Sequence, residues 1–217
     1  MKHRSYPVAT AVAATTAVLL TACGGGSDTP KANDKIAGAD QGKTASASPS
    51  PTTTDNAKRP DITLPGDVKD QFDGWKTGDA TKDAILADAG RAQTATNDAI
   101  LKGTPNTPGL AFYYKGKALT SSVQWVQKWL GAGITYTGTT RYYGPKVEIF
   151  DSRSAGVSYC ADESKAYNKN RKTEKVDRTP AGKDAYVLYN TRLEKTGQGV
   201  WQTSDGTSVR GSKTCVR

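Results

Sequence analysis

Histidine is all but missing from this 217-residue chain, and His3 is the only one. It lies in the charged start ahead of an apolar run, so a chain processed after that run carries none. A protein without histidine has no Ser-His-Asp triad, no Cys-His pair and no histidine-ligated zinc or iron centre. Catalysis would have to rest on Asp, Glu, Lys or Tyr. Cysteine is scarce as well, with Cys23, Cys160 and Cys215 making up the three. Two cysteines make no zinc site without histidine or carboxylate help. Gly24-Gly25-Gly26 follows no strand and opens no helix, so it is no phosphate-cradling loop. No cofactor and no metal is expected. Long apolar stretches are limited to Val8–Leu20, which is too short for an ordinary membrane span.

That stretch has Lys2, His3 and Arg4 ahead of it and small residues behind it, the pattern of a secretory signal peptide over residues 1–22. Its junction, Leu20-Thr21-Ala22-Cys23, resembles the lipobox of bacterial lipoproteins. The resemblance implies that Cys23 receives a diacylglyceryl group, that cleavage falls before it and that Cys23 becomes the mature N-terminus. Two or three acyl chains on one residue anchor stably where one alone does not. The expected location is extracytoplasmic, lipid-anchored to the outer face of the cell membrane, with the membrane as first partner. The plainer alternative is a secreted protein in which Cys23 is incidental.

The formal charge of +9 is unevenly spread. Residues 23–74 hold six basic and eight acidic residues, whereas residues 75–217 hold 22 basic and 13 acidic. A basic domain outside a membrane is drawn to anionic headgroups or anionic cell-wall polymers; the bland reading is solubility. No nucleic-acid-binding motif is present, and no nucleic-acid partner is expected. Another envelope protein is a further candidate partner.

Residues 24–58 are rich in Gly, Ser, Thr, Ala and Pro, with Ile36 the one large apolar residue. Such a segment buries too little to offset its ordering entropy, so a disordered tether is expected over 23–74. As a coil it would reach about 40 Å on average, and its Ser/Thr/Pro run could carry O-linked sugars. Residues 60–75 are expected to pack loosely on the domain edge, with the folded domain at 75–217.

Within the domain, residues 79–102 read as a helix, capped by Asp79 or Thr81 and ended by Gly103 and Pro105. Residues 106–109 are turn chemistry, and residues 120–130 form a second helix with an apolar stripe. From Ile134 the texture turns to strands: 134–138, 139–143, 146–150, 155–160, 184–194 and 200–203, with a last stretch at 213–216. Residues 162–178 read as a polar surface excursion. Helices followed by about six antiparallel strands make an α+β domain. In an oxidising exterior the two remaining cysteines, Cys160 and Cys215, most simply form one disulfide.

The early helix pair, Ala155-Gly156-Val157-Ser158-Tyr159-Cys160-Ala161-Asp162, Gly199-Val200-Trp201-Gln202 and the terminal Cys215 resemble the NTF2-like (SnoaL/ketosteroid-isomerase-like) cone, in its lipoprotein branch of high-GC Gram-positive bacteria. The resemblance covers about residues 75–217. It implies two or three helices on a curved antiparallel sheet, a Cys160–Cys215 bond between strands and a conical interior able to hold a ligand. The Asp-plus-Tyr catalytic pattern of the isomerase branch does not map onto this chain residue by residue.

Trp125, Trp129, Tyr136, Tyr143, Tyr186, Tyr189 and Trp201 could line a pocket, since each offers an apolar plane with one polar handle; the alternative is that they are ordinary core. Lys165, Lys169, Arg171, Lys172, Lys175 and Arg178 could grip phosphates of an anionic polymer or headgroups. Glu163, Glu174 and Asp177 dilute that run, and a solvated loop is the other reading. Asp83, Asp88 and Asp98 read as surface carboxylates of the first helix, with Asp88 the one that could face a pocket as a general base. The function expected is non-catalytic: binding an envelope ligand or scaffolding an envelope complex. The competing reading is a cofactor-free isomerase or hydratase using a carboxylate in the cone.

Overall fold

The computed structural model describes residues 57–216. Cys23, the signal peptide and the tether up to residue 56 lie outside the described residues. The elements run β1 (Val68–Asp73), α1 (Ala80–Lys102), α2 (Pro108–Tyr113), α3 (Gly116–Gly131), β2 (Ile134–Ile149), β3 (Ser154–Asn170), a short 3-10 turn (Lys183–Ala185), β4 (Tyr186–Lys195) and β5 (Trp201–Arg210).

Helix α1 is the axis of the domain. Asp79 accepts a hydrogen bond from the Lys82 amide at 2.8 Å and closes the helix start, a contact worth about 1 kcal/mol. At the other end Gly103 adopts φ 74°, and its N–H bonds the carbonyls of Ala99 and Ile100. That left-handed turn is cheap only for glycine. Six consecutive residues, Ala95–Ile100, are buried, so the second half of α1 is enclosed on every side rather than along one stripe. Ile85, Leu86 and Ala89 pack on Tyr142, Val157, Tyr159 and Trp201 of the sheet. Ala92 and Ala95 meet Tyr113 and Val200, while Ala99 and Ile100 meet Leu110, Val126 and Tyr136.

The five strands lie in sequence order, β1-β2-β3-β4-β5. The sheet is mixed rather than purely antiparallel, because β1 runs parallel to β2, from Val68 beside Gly138 to Asp73 beside Tyr143. Residues 68–73, expected in the tether, are thus an edge strand, and the folded part begins ahead of Trp75. Even the residues before β1 are held: Ile62 packs beside Tyr113 and Leu64 beside Leu110.

The three short strands expected over 134–150 are one strand, β2, with irregularities at Thr139/Arg141 and Tyr143/Lys146. Gly138 (φ 98°) and Gly144 (φ 61°) stand at these places. The turn signals are real, but they bend the strand instead of reversing it, as bulges do. Half of the expected surface excursion at 162–178 is the far end of β3, paired from Lys165 beside Thr139 to Asn170 beside Ile134. Asp205-Gly206, a dipeptide of turn chemistry, lies within β5, and residues 213–216 form a terminal turn rather than a strand. A third helix, α2, occupies the expected turn region, with the Thr107 hydroxyl accepting from the Leu110 amide and Pro108 in its first turn.

Helices first, then long bent strands that wrap the first helix: this is the α+β cone that the resemblance implies, with five strands in place of about six. On β3, Ala155, Val157, Tyr159 and Ala161 face α1. Cys160 points to the outer face, where the tail after β5 folds back over Tyr143 and Leu188. There Cys160 and Cys215 are joined, 55 residues apart in sequence, with Cα atoms 5.5 Å apart. The Tyr143 hydroxyl donates to the Cys215 carbonyl beside the bond.

Candidate functional site

Between α1, α3 and the concave sheet face lies a cavity of about 480 Å³, within the range of small-molecule pockets. Its aromatic wall comes from α3 and β2. Amphipathic α3 turns Val126 fully into the core and leaves Trp125 and Trp129, one turn apart, along the cavity. Trp125 is edge-on to Trp129 at 6.1 Å, and Trp129 is edge-on to Tyr136 at 5.9 Å. The opposite side is polar. Gln93 and Asn97 come from α1, Glu163 from β3 and Arg210 from β5.

Tyr136 is the unusual member. Its ring is 7% exposed, and its hydroxyl is buried with no hydrogen-bond partner among the described residues. A buried hydroxyl left without a partner costs about 1–3 kcal/mol. Burial, reinforced by the nearby carboxylates of Asp70, Glu163 and Asp98, pushes the Tyr136 phenol well above its ordinary value. It is therefore a donor at any physiological pH. Tyr142 and Tyr189, also on the cavity, are pushed up by burial too.

Behind the lining stands a polar network. The Asn97 side-chain amide donates to both oxygens of Asp70, at 2.9 and 3.0 Å, and contacts the Tyr142 hydroxyl at 2.9 Å. Burial raises the Asp70 carboxyl above its ordinary value, although the bonds from Asn97 and Thr94 oppose it. Asp70 is not itself a lining residue. Glu163 does line the cavity, and Arg210 holds it at 2.6 and 3.4 Å. Among the described residues no three His, Cys, Asp or Glu side chains converge on a metal-sized site.

Of the aromatic residues singled out in the sequence, Trp125, Trp129, Tyr136 and Tyr189 line this cavity. Tyr143 and Tyr186 do not: they pack around the disulfide on the outer face, because β2 and β4 alternate sides residue by residue. Trp201 is also elsewhere, 1% exposed in the core against Ile85 and Leu193. The basic run is dispersed. The Arg171 guanidinium donates to the carbonyls of Ile100, Leu101 and Ile134, closing the end of α1. Lys169 pairs with Glu174 at 3.6 Å, and Arg178 lies 5.1 Å over the Tyr167 ring. Lys165, Lys172 and Lys175 are exposed.

The helix carboxylates are not surface groups, with one exception. Asp83 accepts from Thr77 at 2.7 and 2.8 Å near the helix start. Asp88 and Asp98 are 1% and 3% exposed. Asp88 faces Arg59, Arg91 and the Trp201 amide, and Asp98 pairs with Lys102 at 2.9 Å. Sequence reasoning missed Asn97, Glu163 and Arg210 at the cavity, and Asp70 behind it. The one available signal, for Asn97 alone, was the row of polar residues Thr94, Thr96, Asn97 and Asp98 in the second half of α1.

No protein-family model matches this sequence, and no curated protein sequence matches it. Among solved structures, a ketosteroid isomerase-like protein from Erwinia carotovora atroseptica is similar over 59% of this chain and 95% of its own, with 18% identity and a TM-score of 0.42. A protein from Catenulispora acidiphila is similar over 63% and 98%, with 7% identity and a TM-score of 0.43. The intermembrane space region of the chloroplast protein ARC6 is similar over 57% and 92%, with 12% identity and a TM-score of 0.37. At these values the likenesses bring no activity, ligand or partner to this chain, and its α+β layout rests on its own elements.

Proposed function

We propose that this chain is a cell-surface lipoprotein whose NTF2-like α+β domain binds a small amphipathic molecule, without chemistry, in the cavity between α1, α3 and the sheet. The observation that carries the reading is the Tyr136 hydroxyl. Among the described residues it is a buried donor with no partner, set at the end of the Trp125–Trp129 wall. A ligand oxygen accepting from Tyr136 would satisfy it, while the indole planes take the apolar body.

Binding is favoured over the isomerase or hydratase reading by where the carboxylates stand. A general base must reach its proton within hydrogen-bond distance. Asp70 lies behind Asn97 and does not line the cavity. Of the lining carboxylates, Glu163 is engaged by Arg210, Asp177 accepts from the Thr179 hydroxyl and Asp184 lies in the field of the Arg210 guanidinium. The ligand test is thermal shift of the unlipidated chain with a library of amphipathic small molecules. Hits should stabilise the parent and lose that effect in Trp129→Ala. A library with no hits, or hits indifferent to Trp129, would remove the cavity from consideration.

The surface address rests on residues 1–23. Replacing Cys23 by Ala should leave the domain folded and release it to the medium. Full retention on the membrane would refute the anchor. The net positive charge of residues 75–217 supports attraction to anionic wall polymers or headgroups, with Lys165, Lys172 and Lys175 as the exposed contacts.

A further inference from the structure

The cavity is charged against the grain of its domain. Residues 75–217 carry 22 basic and 13 acidic side chains, but the lining holds Glu163, Asp177 and Asp184 against Lys128 and Arg210. The two lining cations are already engaged. Arg210 is bound to Glu163 and to the Asp184 carbonyl, and Lys128 sits 5.6 Å over the Trp125 ring. Another lining aromatic, Tyr167, takes the guanidinium of Arg178 at 5.1 Å. The cavity's outer aromatics thus already host the protein's own cations. Trp129 and Tyr136 have no such cation among the described contacts.

We infer that the ligand of this cavity is cationic: a small molecule whose ammonium or quaternary ammonium group sits against Trp129 and Tyr136, with Glu163 supplying the counter-charge. The inference rests on the cavity being a ligand site, as proposed above. An aromatic face attracts a desolvated cation through its quadrupole, and a site with surplus carboxylates favours cations over anions of the same shape. Trp129 and Tyr136 adjoin at 5.9 Å, and Glu163 lines the same cavity. The phenols of Tyr136 and Tyr189 feel the negative field of Glu163 directly.

The test is calorimetric titration of the full unlipidated chain, Cys23→Ala, with three probes of similar size: benzyltrimethylammonium, benzyl alcohol and phenylacetate. Benzyltrimethylammonium should bind about tenfold tighter than phenylacetate and about threefold tighter than benzyl alcohol. Glu163→Gln should weaken the cation at least about threefold and strengthen phenylacetate, since it also releases Arg210. Asp184→Asn should shift both affinities the same way by less, and it serves if Glu163→Gln does not fold. Phenylacetate binding as tightly as the cation, or cation affinity unmoved by both substitutions, would overturn the charge preference while leaving a ligand site. No binding of any probe up to millimolar concentration would overturn the ligand site itself, and this inference with it.

Discussion

Arg59 reaches across 29 residues of sequence to Asp88, with its Nε and Nη2 donating to the carboxylate at 3.0 to 3.1 Å. Asp88 is 1% exposed and also accepts from Arg91 at 3.1 Å and from the Trp201 amide at 3.0 Å. One carboxylate therefore fastens the segment leading into β1, the middle of α1 and the start of β5. It is a tie between the part of the chain nearest the expected membrane anchor and the core of the domain. Removing it takes one partner from the Arg59 guanidinium and leaves the Trp201 amide buried without its acceptor, and breaking a buried pair costs about 3–5 kcal/mol. Asp88→Ala should show that loss in urea unfolding, whereas Arg91→Ala, removing the most exposed partner, should cost under about 1 kcal/mol. Equal effects would contradict the clamp.

Asp70 works in the opposite direction. Its carboxyl is raised above its ordinary value chiefly by burial, so folding disfavours the charged form relative to the unfolded chain. A raised carboxylate adds no penalty below its unfolded value and a full penalty above its folded one. Stability attributable to Asp70 thus falls as pH rises through that window. Asp70→Asn, which keeps an oxygen for Asn97, should be more stable than the parent at pH 7, with the gap closing toward pH 4. Melting temperatures of both proteins across that range check it. A gap that widens on acidification would mean that Asp70 is stabilised as the anion.

The Cys160–Cys215 bond closes a loop of 55 residues and pins the tail after β5 over Tyr143 and Leu188. Restricting the unfolded chain by that loop length is worth about 4 kcal/mol. Cys160→Ser should lower the melting temperature by more than about 10 °C. The cavity, on the opposite sheet face, should keep its ligand affinity at temperatures where the variant remains folded. An unchanged melting temperature would mean that the bond closes nothing the fold does not already hold.

Gly138 is the point where three strands meet, beside Val68 of β1 and Ala166 of β3. It has φ 98°, and a Cβ there would stand 2.1 Å from the Lys165 carbonyl oxygen. Gly138→Ala must either flip the backbone or part β2 from β3, so a loss above about 2 kcal/mol is expected. The same change at Gly131, where a Cβ meets nothing within 4 Å, should be neutral or better. Similar costs at both positions would contradict the account of the bend.

What could be read from the sequence was whatever is local. Helix α1 was legible to within a residue because its cap, its apolar period and its terminal glycine all lie in one window. The Cys160–Cys215 pair followed from counting. Strand β1 was not legible, since Lys69, Asp70, Gln71 and Asp73 look like tether until Asn97 and Arg141, far along the chain, are seen to receive Asp70 and Asp73. Gly138 and Gly144 announced bends correctly, but a bend and a reversal have the same local chemistry. Arg171 looked like one more surface cation, and only the approach of α1's end, 70 residues earlier, makes it a helix cap. The cavity's carboxylates had no periodic signal at all, because Glu163 lies in β3, Asp184 in the turn entering β4, and Asp177 is held to β3 through the hydrogen bond from its amide to the Asn168 carbonyl.

The most direct test of the cavity as the functional site uses the four tryptophans as reporters. Trp125 and Trp129 line the cavity, while Trp75 and Trp201 pack with the core around Ile85 and Tyr159. In an NMR titration of the 15N-labelled, unlipidated chain with benzyltrimethylammonium, the indole N–H signals of Trp125 and Trp129 should move saturably with one shared dissociation constant. Those of Trp75 and Trp201 should stay in place. Four unmoved indoles, or movement led by Trp75 or Trp201, would contradict it.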